Sequence, residues 1–259
     1  MLTDTHCHLY YEELFKDLAG VLDRAHEQGV NRFICVGTNI QDSKKSLSIT
    51  DDHENIFAST GIHPHDAKDV SESFIDDIYN LMEYDSMVAI GEIGLDYFRN
   101  ISDPEIQKEI FVSQMKIAQD LDKPVIIHNR NSDQDMIKIL REFPNVRGIA
   151  HCFSSDIDMA KAFLDIGYYI SFSGNLTFKN SHLPEVAKEI PLDRILVETD
   201  SPYLSPEPYR GKSNEPGRTR FVAEKLADIF NLSFKVLIAD WLINLAPPLA
   251  TITLSLIHI

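Results

Sequence analysis

The chain has 259 residues, a length that suits one α/β barrel, and 44% of them are hydrophobic, enough to fill a core. Its 24 basic residues stand against 40 acidic ones, a formal charge of −16. That balance argues against broad tracking of a nucleic-acid backbone by a basic surface, though not against a phosphodiester held beside divalent cations, whose charge reverses the local sign. The three cysteines, Cys7, Cys35 and Cys152, are odd in number and form no CxxC motif. No apolar run reaches the roughly 18 residues of a membrane span, and the start lacks the charge-then-apolar layout of an export signal. The expectation is a cytoplasmic protein with no membrane partner.

Taken in chain order, short β-branched apolar runs alternate with amphipathic stretches. A strand over residues 2–5 leads into a helix over 12–28, and strands follow over 32–36 and 56–60. Ser71 heads a capped helix in which Phe74, Ile75, Ile78, Leu81 and Met82 recur with a period near 3.6. The strand over 88–90 precedes a helix over 106–121, and the strand over 125–128 precedes one over 132–143. The strand over 148–151 precedes a helix over 157–166, and strands over 168–171 and 195–198 complete eight. This relay predicts an α/β protein, a (β/α)8 TIM barrel of the metal-dependent hydrolase type, filling residues 1–245 as one domain. The loop over 201–217, with four prolines, follows the last strand and is expected over the barrel mouth.

Barrel enzymes place their chemistry at the C-terminal ends of strands. Six of the ten histidines fall at such ends: His6, His8, His63, His65, His128 and His151. Glu92 follows strand four and Asp200 follows strand eight. Imidazole suits first-row cations and carboxylates suit harder ones, so His6, His8, Glu92, His128, His151 and Asp200 are the candidate metal ligands. His6 and His8 share one face of an extended segment, which turns Cys7 to the other. Singly, each has a plain alternative: a solvated His-x-His, an ion pair of Glu92 with Arg99 or Arg130, a turn cap at Asp200. Their joint placement carries the metal reading. His63 and His65 flank Pro64, and at least one is expected to contact substrate; Asn175 and Arg210 are candidates of the same kind. His26, His53 and His182 read as surface residues.

The segments Asp4-Thr5-His6-Cys7-His8-Leu9, Gly61-Ile62-His63-Pro64-His65, Gly91-Glu92-Ile93-Gly94-Leu95-Asp96-Tyr97, Pro124-Val125-Ile126-Ile127-His128, His151-Cys152-Phe153 and Glu198-Thr199-Asp200-Ser201-Pro202-Tyr203-Leu204 together resemble the TatD-type metal-dependent hydrolases of the amidohydrolase superfamily. The run Arg210-Gly211-Lys212-Ser213-Asn214-Glu215-Pro216 is similar to that family's loop after strand eight, and the likeness covers about residues 1–232. The resemblance implies two divalent cations, Mg, Mn or Zn. His6, His8 and Asp200 hold one with Glu92; Glu92, His128 and His151 hold the other. It also implies a metal-dependent deoxyribonuclease, of the 3′-to-5′ exonuclease type in some members, that uses a two-metal-activated hydroxide with Asp200 and Glu92 as its catalytic residues. The expected partner is then a DNA end or single strand, met by a monomer or weak oligomer. Other members are described as cleaving aminoacyl-tRNA esters, so an ester or amide hydrolase with the same metals is the alternative.

The likeness fades after Leu232. Residues 233–245 begin helically, Pro247-Pro248 stop the pattern, and the terminal Leu-Ser-Leu-Ile-His-Ile matches a translated sequencing adapter. Residues 246–259 are therefore expected to be an atypical tail, the artefactual end of a truncated frame.

Overall fold

The structure is a computed structural model that describes residues 2–237. The expected tail over 246–259 lies outside the described residues. All eight expected strands form: β1 (Leu2–Cys7), β2 (Val30–Val36), β3 (Ile56–Thr60), β4 (Met87–Asp96), β5 (Val125–Arg130), β6 (Gly148–Ala150), β7 (Tyr169–Phe172) and β8 (Ile195–Val197). They are ordered β1 to β8 in one sheet. Between them come α1 (Glu12–Phe15), α2 (Leu18–Glu27), α3 (Ile40–Thr50), α4 (Phe74–Leu81), α5 (Pro104–Asp120), α6 (Asp133–Arg141), α7 (Ile157–Asp165) and α8 (Leu183–Lys188), and α9 (Thr219–Ile229) follows β8. This alternation is that of the (β/α)8 class. Among the described residues no helix is long and apolar enough to cross a membrane.

Two expectations about helices need correction. The single helix over 12–28 is two, because Asp17, at φ −132°, leaves the helical region and starts α2, with its carbonyl accepting the Val21 N–H at 2.9 Å. Aspartate favours such starts over helix interiors. Ser71 is not the cap of α4: Ser73 holds that position, and its hydroxyl donates to Asp77 at 2.9 Å. Helices α8 and α9 fall outside the helices read from the sequence, and so does α3. Its inward positions are Ile40, Ser43, Ser46 and Ile49, so small serines take half the buried face and hide the apolar period. Asn39 caps it, accepting the Asp42 N–H at 2.9 Å.

The chain divides into two compact units. The first comprises residues 2–34, 152–161 and 170–237. Here β7 and β8 run parallel, with Ile170 opposite Ile195 and Phe172 opposite Val197. The end of β1 is tied to the segment after β8: Asp200 N–H donates to the His6 carbonyl and His8 N–H to the Ser201 carbonyl, each at 2.9 Å.

The second unit comprises residues 35–151 and 162–169. All ten residues of β4 are buried, the near-continuous apolar run of a parallel strand covered on both faces. Burying each of Ile90, Ile93 and Ile127 stabilises the unit by about 1.5–3 kcal/mol. The pairing of β4 with β5 slips register between Ile90 and Ile93, the stretch that holds Glu92. Beyond it Gly94 pairs with His128. Gly94 has φ +141°, and a Cβ there would lie 2.0 Å from the His128 carbonyl oxygen, so glycine is what lets the two backbones meet. Helix α5 starts at Asp103, which accepts the Glu105 N–H at 2.8 Å, with Pro104 in its first turn.

Candidate metal centre

In the first unit, His6 near the end of β1 and His8 just after it direct their Nε2 atoms at each other, 3.3 Å apart. Asp200 Oδ1 is 3.8 Å from His6 Nε2 and 3.4 Å from His8 Nε2. Three ligands around one tetrahedral cation with bonds near 2.1 Å would be separated by about 3.4 Å, so this triangle fits a single ion. The backbone bonds between β1 and the segment after β8 set the triangle up. Asp4 tightens it: its carboxylate accepts the Thr199 N–H at 2.8 Å, the Thr199 hydroxyl at 2.5 Å and the His6 N–H at 3.3 Å. Burial pushes the Asp4 carboxyl up to about 8, against the pull of those hydrogen bonds. Cys7 faces away, its thiol donating to the Ile34 carbonyl at 3.4 Å, as the alternation of a strand requires.

In the second unit, Glu92 Oε1 is met by three imidazole nitrogens: His128 Nδ1 at 2.9 Å, His151 Nε2 at 2.9 Å and His63 Nε2 at 3.4 Å. Burial alone would push the Glu92 carboxyl up, but the rings of His151, His63 and His128 outweigh it and hold the group well below the usual carboxylate range. The plain alternative for Glu92, a pair with Arg99 or Arg130, does not describe this setting: Glu92 is buried, whereas both arginines are exposed and the Arg130 guanidinium lies 4.0 Å over the Phe98 ring. Nitrogen donors converging on a buried carboxylate are the donor set a divalent cation takes.

His63 differs from the other rings. Its Nδ1 accepts the His65 N–H at 3.1 Å, so the neutral ring carries its proton on Nε2, the atom turned to Glu92. Burial lowers the His63 pKa to about 4, which keeps the ring neutral near pH 7. His65 Nε2 is taken up by Asp96 Oδ2 at 2.8 Å. Asn175 Nδ2 reaches the Phe153 carbonyl at 3.4 Å and its Oδ1 accepts the Ser173 hydroxyl at 3.1 Å. Arg210 is exposed, with its guanidinium 3.6 Å over the Phe178 ring. His26 and His182 are exposed and His53 half-buried.

Sequence reasoning missed the residues that hold these loops. Gln114 of α5, fully buried, accepts the Ile62 N–H at 2.6 Å and donates to the Ile62 carbonyl at 3.1 Å, fixing the backbone just before His63. Two turns earlier on the same face, Gln107 accepts the Asp96 N–H at 2.8 Å and donates to the Asp96 and Ser102 carbonyls at 3.1 and 2.7 Å. Their signal was present: two glutamines seven residues apart on the apolar face of α5.

Fold and ligand-like clusters together define a metal-dependent hydrolase of the (β/α)8 class. Residues 3–244 match the family described as TatD related DNase, and the chain belongs to that family. YabD of Bacillus subtilis, named a metal-dependent hydrolase, is 41% identical over 238 residues, covering 91% of this chain and 93% of YabD. A protein of Edwardsiella piscicida named 3′-5′ ssDNA/RNA exonuclease TatD is 34% identical over 220 residues, covering 82% of this chain and 85% of its own length. Among solved structures, YJJV, a TatD homologue from Escherichia coli, aligns with a TM-score of 0.90 at 26% identity, covering 100% of this chain and 98% of YJJV.

Proposed function

We propose that the chain hydrolyses phosphodiester bonds of DNA at a strand end or in single strands, as an exonuclease of the 3′-to-5′ type. The observation that carries the chemistry is the convergence of His128 Nδ1 and His151 Nε2 on Glu92 Oε1, each at 2.9 Å. The nucleic-acid substrate rests on the Edwardsiella piscicida relative's name. His6, His8 and Asp200 would hold one divalent cation, and Glu92, His128 and His151 a second. Bound there, Mg, Mn or Zn would supply Lewis acidity and make water more acidic.

The chain's own residues account for the rest. Asp200 takes the proton of the attacking water and returns it to the departing 3′ oxygen, so the water oxygen–phosphorus bond forms as the phosphorus–O3′ bond breaks. The His63 Nε2–H donates to a non-bridging phosphate oxygen as charge builds there. Arg210, exposed above Phe178, would meet a further phosphate. With a charge of −16, an end-bound substrate suits the chain better than a long duplex.

The test is a side-by-side assay of an end-labelled single-stranded oligonucleotide and an aminoacyl ester. Stepwise shortening from the 3′ end with the ester untouched is the expected result. Ester cleavage without shortening would replace the nuclease reading with carbonyl hydrolysis by the same residues.

A further inference from the structure

Two tyrosines stand one turn beyond members of the first cluster, and no part of the proposed reaction uses them. Tyr11 N–H donates to the His8 carbonyl at 3.1 Å, and Tyr203 N–H donates to the Asp200 carbonyl at 2.9 Å. The His8 and Tyr11 rings meet edge-on with centroids 5.4 Å apart, and Tyr11 and Tyr203 meet in the same way at 5.9 Å. Edge-to-face contact at such spacings is a favoured aromatic geometry. Tyr10 closes the inner end: its ring packs 4.9 Å from that of Tyr11, and its hydroxyl lies 3.2 Å from His8 Nδ1. A ladder of rings thus runs from buried His8 out to Tyr203, which is 54% exposed. A scattered surface tyrosine needs no explanation. This one is held at the outer end of a ladder anchored on a proposed metal ligand.

We infer that Tyr203, braced by Tyr11, is the stacking platform for the terminal nucleobase of a single strand. This rests on the nuclease reading. In that reaction the phosphate attacked is the terminal nucleotide's own 5′ phosphate, so one nucleotide carries both the reacting phosphorus and the base laid on Tyr203. Every base has a π face, so the platform binds without sequence preference. Stacking also needs no net positive charge, which suits a chain at −16 better than a basic groove would. A terminal base in a duplex is already stacked and paired and must fray before it reaches Tyr203, so the platform selects single strands.

The experiment compares wild type, Tyr203→Ala and Tyr203→Phe as full chains. End-labelled single strands carry either a normal or an abasic nucleotide at the 3′ end. The first readout is the ratio of kcat/KM for the base-bearing end to that for the abasic end. Wild type should favour the base-bearing end by about 5–150-fold, the usual worth of one base–aromatic stack. Tyr203→Ala should abolish most of that preference, and Tyr203→Phe, which keeps the ring, should retain it. The second readout does not depend on turnover. A strand ending in 2-aminopurine behind a phosphorothioate link, which resists cleavage, should be quenched by saturating magnesium-loaded wild type and Tyr203→Phe, but little by Tyr203→Ala. No preference for the base-bearing end in wild type, or the same preference and quench in Tyr203→Ala as in wild type, overturns the stacking role while the nuclease reading stands. No 3′-end shortening of either strand by wild type overturns the nuclease reading, and the inference with it.

Discussion

The two ligand clusters solve opposite problems. Asp200 sits in a loop at φ +56°, with its side chain 15% exposed, and meets its histidines across 3.4–3.8 Å. Glu92 sits inside a strand, 5% exposed, with histidine nitrogens at 2.9 Å on two sides. A group that hands protons to and from water needs access and room, whereas a carboxylate that anchors cations benefits from burial and saturation with partners. The contrast suits the proposed roles, turnover for the first cluster's carboxylate and metal holding for the second's.

Substitutions can break that division. Asp200→Asn is expected to lower turnover by about 10²–10⁴-fold while the chain still binds divalent metal, since it removes the base but keeps an oxygen ligand. Steady-state rates paired with metal analysis check this, and a variant with near-normal rates would take the proton-transfer role away from Asp200. Next in size, His63→Ala is expected to lower turnover by about 10²–10³-fold at unchanged metal content, as loss of one oxyanion donor does. Loss of metal in that variant would move His63 among the ligands.

How far these residues were legible in the sequence follows from the physics of each. The eight strands and six candidate ligands stood out because parallel strands are apolar on both faces and reactive groups gather where such strands end. Helix α3 was hidden because Ser43 and Ser46 occupy its buried face. The α5 glutamines are harder to read because their role is to satisfy particular backbone groups, and only their place on the apolar face of α5 signals it. The split of His63 from His65 needed one measured contact, the His65 N–H on His63 Nδ1.

The remaining predictions sharpen the second cluster's share of the comparison. Gln114→Leu leaves the buried Ile62 N–H and carbonyl without their partner, a cost of about 2 kcal/mol or more, read as a lowered denaturation midpoint. A smaller, graded effect follows from His63, whose pKa falls from 6.5 to about 4 on folding. Because the unfolded chain binds the proton more readily, the stability this group contributes is full above pH 6.5 and is lost as pH falls towards 4. In metal-free protein, wild type should therefore lose about 3 kcal/mol relative to His63→Gln across that window. Denaturant titrations at several pH values test it, and parallel curves for the two proteins would show that His63 does not titrate as a buried ring.

The most direct test of the proposed two-metal reading is metal stoichiometry joined to product mapping. Protein stripped with chelator and then titrated with manganese should regain 3′-end shortening of a labelled oligonucleotide as two ions bind per chain, and Glu92→Ala should neither bind the pair nor turn over. Full hydrolysis by the stripped protein, or by Glu92→Ala after the same titration, would contradict the account.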